Sequence, residues 1–96
     1  MAVSLPYTEK IYLTGNIFVD IKIYHGNGQP KFSLTLVKDN KRAICFDNHE
    51  GKKPHKHIKN KVYDYEFENV DKLIEDFYIE VEKFLDEVNE KWRKNL

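Results

Sequence analysis

Residues 45–61 read CFDNHEGKKPHKHIKNK and decide how the chain is organised. An apolar, strand-like run ends at Asp47, Gly51 to Pro54 form a turn, and a second extended segment begins at His55. The stretch holds three of the four histidines and five of the sixteen basic residues of the chain. We therefore expect any chemistry of this protein to lie at this turn.

The histidines of this stretch converge if its flanks are strands. Side chains alternate between the two faces of a strand, so His55 and His57 would project to one side and Lys56 to the other. His49 could return from the other side of the turn. The spacing therefore predicts imidazoles aimed at one point.

The string FDNHEGKKPHKH, residues 46–57, resembles the F-D-N … H-x-H core of the small TumE-like proteins. These are toxin components of toxin–antitoxin modules, and they are usually encoded beside a helix-turn-helix antitoxin. The chain is also similar to them in length and in having strands first and a helix last. The resemblance implies growth inhibition, RNA cleavage as the suspected activity, and an antitoxin, of helix-turn-helix type, as partner. It assigns no catalytic residue, so the residue roles below come from chemistry.

Alternating apolar side chains predict three strands before the turn. Lys10 to Tyr24 indicates one long strand, with Gly15-Asn16 as a candidate break. A segment rich in Gly and Asn, ending at Pro30, then leads to a second strand, Lys31 to Lys38. The third strand runs from Lys41 to Asp47.

Asp39-Asn40 separates the second and third strands by the two residues of a tight hairpin turn. Pairing of Lys38 with Lys41 would place Asp47 opposite Phe32, at the edge of the core face. There Asp47 would either cap the backbone N–H groups of the turn, the commoner use of Asp in turns, or orient a histidine. Cys45, the only cysteine, is interpreted as a buried core residue rather than a nucleophile.

The rest of the chain predicts a fourth strand, Val62 to Phe67, and then one amphipathic helix over residues 70–93 with Asn69 as N-cap. The predicted fold is α+β, a single domain over residues 1–96: a four-stranded antiparallel sheet within about residues 10–67, followed by one long C-terminal helix packed on it. The last helical turns should overhang the sheet. Val88 and Trp92 would then contact a second copy in a homodimer, or an antitoxin.

The formal net charge of zero conceals a division along the chain. Residues 1–61 carry eleven basic and five acidic side chains, a balance of +6, whereas residues 62–96 carry five and eleven, a balance of −6. A polyanion such as RNA is a natural ligand for the basic part, although surface lysines also protect sheet edges from aggregation. No secretion signal or membrane span is visible, so we expect a cytoplasmic protein.

Metal-independent RNA cleavage is the first interpretation of the histidine turn. The 2′-hydroxyl of RNA is the nucleophile, so the protein need supply only a base, an acid and cations for the phosphate charge, with no cofactor. His55 and His57 are the preferred acid–base pair, with His49 as third candidate and Asp47 as an orienting residue. The candidate phosphate-binding residues are Arg42, Lys52, Lys53, Lys56 and Lys59.

Two other interpretations stay open. His49, His55 and His57 could hold Zn²⁺ or another divalent metal, with Asp47 or Glu50 nearby, and so form a metal-dependent nuclease or hydrolase. The turn could instead be a non-enzymatic docking surface for RNA or for a protein.

Overall fold

The computed structural model describes residues 4–48 and 53–93, and in the last part of the helix, residues 89–93, the backbone alone. A six-stranded antiparallel sheet is followed by one helix, and the strands lie side by side in chain order. The elements are β1 (Tyr7–Thr14), β2 (Ile17–Tyr24), β3 (Lys31–Lys38), β4 (Lys41–Asp47), β5 (His55–Ile58), β6 (Lys61–Asp64) and α1 (Val70–Arg93).

The α+β class is confirmed, but the prediction of four strands is wrong. The segment from Lys10 to Tyr24 breaks at Gly15-Asn16, so it forms the hairpin of β1 and β2. The segment after the histidine turn also forms a hairpin, because Lys59 adopts a positive φ of 59°. This second reversal contains neither glycine nor proline, which explains why alternation alone predicted a single strand at Val62 to Phe67.

The tight turn at Asp39-Asn40 is confirmed, since both residues have positive φ, 52° and 65°. The register beyond the turn differs from the prediction, because a β-bulge makes Leu36 pair with Ile44 and Val37 pair with Arg42. Asp47 consequently pairs with Ser33 and not with Phe32. The prediction that Asp47 lies at the edge of the core face is therefore wrong.

The helix α1 covers one face of the sheet, and its extent confirms the predicted helix. Asn69 caps its first turn, where the side-chain Oδ1 accepts a hydrogen bond from the backbone N–H of Lys72 at 2.8 Å. Phe77 is fully buried and packs edge-to-face on Phe46, with ring centroids 5.7 Å apart. Truncating such a buried aromatic side chain to Ala costs about 3 to 5 kcal/mol. The strand residues buried in the core cluster with Leu73, Phe77 and Val81 of the helix are Ile17, Val19, Ile21, Ile23, Phe32, Leu34, Leu36, Ile44 and Phe46.

The segment between β6 and α1 is tied to the helix by Tyr65. Its hydroxyl donates a 2.7 Å hydrogen bond to Asp76 Oδ2, and its ring packs edge-to-face on Phe46. Desolvation by burial, and then the hydrogen bond to Asp76, raise the pKa of Tyr65 above its ordinary value of 10.0. Within the described residues, no helix is long and apolar enough to cross a membrane.

We predict that Tyr65→Phe lowers the free energy of unfolding by about 1 kcal/mol, the net value of one hydrogen bond, since Asp76 keeps its ion pair with Lys72. Because folding raises the pKa of this tyrosine, its contribution is complete below pH 10.0 and is lost as the pH rises toward the folded-state pKa. Urea unfolding at pH 7 and at alkaline pH measures both effects. Tyr63→Phe, at a tyrosine that is 44% exposed, is the matched control and should leave stability unchanged.

Candidate functional site

The sheet face opposite α1 carries most of the candidate chemistry, and we call it the histidine face. Phe46 points to the helix, so its neighbours Cys45 and Asp47 point away from it. The pairing of β4 with β5 sets Asp47 directly opposite His55 and Cys45 directly opposite His57. Two short strands thus bring a carboxylate, a thiol and two imidazoles together.

Asp47 and His55 form the closest polar pair of this face. Asp47 Oδ1 lies 3.0 Å from His55 Nε2, and both side chains are largely buried, at 18% and 22% exposed. The approach is an ion-pair distance but not an aligned N–H···O bond, because Asp47 Oδ1 is buried without a hydrogen-bond partner among the described residues. The two atoms are therefore close, but Asp47 Oδ1 receives no hydrogen bond from the His55 ring.

The other ring nitrogen of His55, Nδ1, lies 3.2 Å from the backbone carbonyl oxygen of Lys53, which can only accept a hydrogen bond. If the neutral ring donates its hydrogen from Nδ1 to this oxygen, its lone pair lies on Nε2, next to Asp47. In that tautomer Nε2 can accept a proton or bind a cation.

His57 stands beside this pair. Its ring meets the ring of His55 edge-to-face, with centroids 4.7 Å apart and planes inclined by 75°. The predicted convergence of His55 and His57 is thus observed, and Lys56 projects to the opposite side, toward the helix. His49 lies outside the described residues.

Cys45 positions Asp47 through its thiol. Burial raises the pKa of the Cys45 thiol, so the group stays protonated at neutral pH. The thiol donates a 3.3 Å hydrogen bond to Asp47 Oδ2, and Thr35 Oγ1 donates to the sulfur at 3.6 Å. The prediction of a buried residue is confirmed, since Cys45 is only 3% exposed. Its contact with Asp47 was not foreseen, although the two residues are two positions apart on one strand and therefore share a face.

Each residue of the F-D-N string has a distinct place. Phe46 is in the core, Asp47 is beside His55, and Asn48 is buried and joins β4 to the start of β3. Asn48 Oδ1 accepts from the backbone N–H of Phe32 at 2.9 Å, and Asn48 Nδ2 donates to the carbonyl oxygen of Pro30 at 2.7 Å. This clamp fixes the end of β4, and therefore the place of Asp47.

We predict that Asn48→Ala lowers the free energy of unfolding by about 2 kcal/mol, because it leaves a buried backbone donor and acceptor without partners. Chemical denaturation provides the measurement. Asn27→Ala, at an exposed position of the β2–β3 loop, is the control and should change stability little. Equal stability of the Asn48 and Asn27 variants would mean that water replaces the clamp at no cost.

The predicted phosphate-binding residues do not all lie together. Lys56 Nζ forms a 3.0 Å ion pair with Glu80, and Lys59 Nζ pairs with Glu87, so both are directed to α1. Lys53 and Arg42 are exposed, and Lys52 lies outside the described residues. Basic and acidic parts of the chain therefore partly neutralise each other.

A metal ion is the chemical alternative at the histidine face. One ligand atom each from Asp47, His55 and His57 lies within 4.8 Å of the others. Zn–N bonds of about 2.0–2.1 Å hold ligand atoms within about 4.2 Å of one another, so the cluster would have to contract slightly around Zn²⁺. The donor set of two imidazoles and a carboxylate suits zinc and other divalent transition metals.

A protein-family model described as Toxin TumE matches residues 4–85. The matched range includes β1 to β6 and most of α1, and with them Asp47, His55 and His57. Comparison with the curated proteins and with the solved structures finds no match.

Proposed function

The chain belongs to the TumE toxin family, and from this premise we propose that it is the toxin of a toxin–antitoxin module and inhibits growth by cleaving RNA. The observation that carries the proposal is the contact of Asp47, His55 and His57 on one face of the sheet. One of the two imidazoles, whose ring centroids lie 4.7 Å apart, is held against a carboxylate, and such groups can serve as the base and the acid of RNA cleavage.

In this proposal His55 is the general base. Its Nε2 lone pair accepts the proton of the RNA 2′-hydroxyl, and the 2′-oxygen forms a bond to the adjacent phosphorus. Asp47, 3.0 Å away, stabilises the positive charge that His55 then carries and keeps its ring in orientation. The carbonyl of Lys53 and the thiol of Cys45 hold the two partners in place.

His57 is the general acid. In its protonated form it donates a proton to the departing 5′-oxygen as the P–O5′ bond breaks. The products are a 2′,3′-cyclic phosphate and a 5′-hydroxyl, so the reaction consumes no water or cofactor in this step.

We predict that the purified protein cuts single-stranded RNA in excess EDTA and leaves 2′,3′-cyclic phosphate or 3′-phosphate ends. The rate should follow a bell-shaped dependence on pH, because one imidazole must be neutral and the other charged. His55→Ala and His57→Ala should each reduce the rate by about 10²-fold or more, the usual scale for loss of an acid or a base. Asp47→Asn should also reduce it, with the cut sites unchanged.

His25→Ala is the matched control, since His25 is an exposed histidine in the β2–β3 loop, and it should retain full activity. The thermal midpoints of the His55 and His57 variants should stay close to that of the parent, because neither side chain belongs to the described core cluster. If His55→Ala and His57→Ala remain as toxic in cells as the parent, the histidine face is not the active site.

A metal-dependent hydrolase is the second candidate, favoured by the buried Asp47 Oδ1 that has no hydrogen-bond partner among the described residues. Asp47, His55 and His57 would hold the ion, which would supply positive charge at the phosphate. Loss of cleavage in EDTA with recovery on Zn²⁺ or Mn²⁺ would favour this candidate. Calorimetric titration with Zn²⁺ alone, on the parent and on Asp47→Asn, tests the binding without RNA.

The proposed protein partner is an antitoxin, of helix-turn-helix type, and the proposed contact is the C-terminal part of α1, which could also join two copies in a homodimer. Among the helix side chains that the structure describes, which end at Val88, the buried core cluster reaches Val81, with Phe84 and Leu85 packed partly against it. The backbone of α1 continues to Arg93.

We predict that a chain ending at Glu87 keeps its thermal midpoint within a few degrees but loses assembly, because it retains every helix residue of the described core cluster. Light scattering on the chain alone, and with a candidate helix-turn-helix antitoxin, measures the mass. A chain ending at Arg93 is the control. A parent protein that stays monomeric alone and in this mixture would contradict the prediction.

A further inference from the structure

A hollow of about 140 Å³ lies on the histidine face beside His57. It adjoins the β-bulge of β4, and the small residues Ala43 and Cys45 are among those that line it. A single water needs about 10 to 15 Å³ by this measure, so the hollow has room for a larger group.

The remaining polar lining of the hollow consists of nitrogen-bearing residues, Arg42, His57 and Lys59. No acidic residue of the described chain lines it, and Asp47 and His55 are not part of it. Arg42 is exposed and forms no ion pair with a described residue. Its guanidinium fork suits two oxygens of one phosphate group.

Lys59 is available to an anion despite its contact with Glu87. Both side chains of that pair are more than half exposed, at 57% and 59%. Exposed ion pairs are worth about 0 to 1 kcal/mol, so exchange of the Glu87 carboxylate for a phosphate costs little. Because Lys59 is directed to α1 in this contact, its ammonium has to leave Glu87 to reach the hollow. Arg42 and His57 are therefore the groups that make the hollow an anion site, and Lys59, which also lines it, can add a second positive charge.

We infer that this hollow is an anion subsite that binds the phosphate of the RNA strand adjacent to the one that is cut. The inference rests on the proposed function and adds to it the path that the RNA strand takes across the histidine face. His57 lines the hollow and also contacts His55, so a strand whose scissile phosphate lies at the two imidazoles continues past His57 to Arg42. Substrates with at least two consecutive phosphates are then the preferred class.

Inorganic phosphate is the first probe, because its binding can be measured without RNA or cleavage. Titration followed by ¹H–¹⁵N NMR should shift the signals of residues 42–45 and 57–59. Arg42→Gln should weaken phosphate binding by about tenfold or more, the scale of a lost charge-assisted hydrogen bond. Lys41→Gln removes the same charge from the neighbouring exposed position and should weaken it much less.

A short RNA with one internal linkage, with and without an additional terminal phosphate, is the second probe. With the parent protein, a terminal phosphate added at one end of the RNA should lower KM, and one added at the other end should not. Arg42→Gln should abolish this difference and retain kcat. Phosphate binding in the hollow without RNA cleavage would overturn the ribonuclease proposal and leave the anion site standing. Cleavage with the same KM in Arg42→Gln as in the parent, or equal losses in Arg42→Gln and Lys41→Gln, would overturn the subsite.

Discussion

One extra residue in β4 determines which side of the sheet carries the polar groups. Arg42 and Ile44 pair with consecutive residues of β3, so Ala43 is the residue inserted between them. Side chains alternate along a strand, and a slip of one position would exchange the two faces of everything that follows. Without the bulge Asp47 would lie under the helix and Phe46 would lie outside it. Burial of Phe contributes about 1.5 to 3 kcal/mol, and burial of an unpaired carboxylate is unfavourable, so both effects select the bulged register.

The same strand pairing supports two separate functions of β5. His55 and His57 face the candidate site, whereas Lys56, between them, passes over the ring of Phe46 and reaches Glu80 of α1. A strand of four residues has few backbone hydrogen bonds of its own. Its neighbours β4 and β6 and its contacts with the helix therefore hold the histidines in position, which a flexible turn could not do.

The sequence was most informative where one local pattern acts alone. Alternation located β2, β3 and β4, the spacing of apolar residues predicted α1 with its cap at Asn69, and His-x-His placed two imidazoles on one face. The Asp39-Asn40 turn was also visible, because both residue types tolerate positive φ.

The features that the sequence did not reveal depend on competition between distant parts of the chain. The bulge results from the requirement that Phe46 meet Phe77, thirty-one positions later, and a hairpin pattern contains no trace of that contact. The position of Cys45 and Asp47 on the face opposite α1 follows from that register. The turn at Lys59 was missed because a lysine with positive φ is uncommon, and only the paired strands around it enforce the conformation.

Two ion pairs join β5 and the turn that follows it to α1, Lys56 with Glu80 and Lys59 with Glu87. They connect the helix surface to the histidine face on the other side of the sheet. A partner that binds the acidic side of α1 competes with Lys56 and Lys59 for Glu80 and Glu87. The short strand then loses two anchors, while its histidines stay uncovered. Such a partner would inhibit the protein from the helix side of the sheet, by loosening the strand that carries the imidazoles. The histidine face itself would stay uncovered.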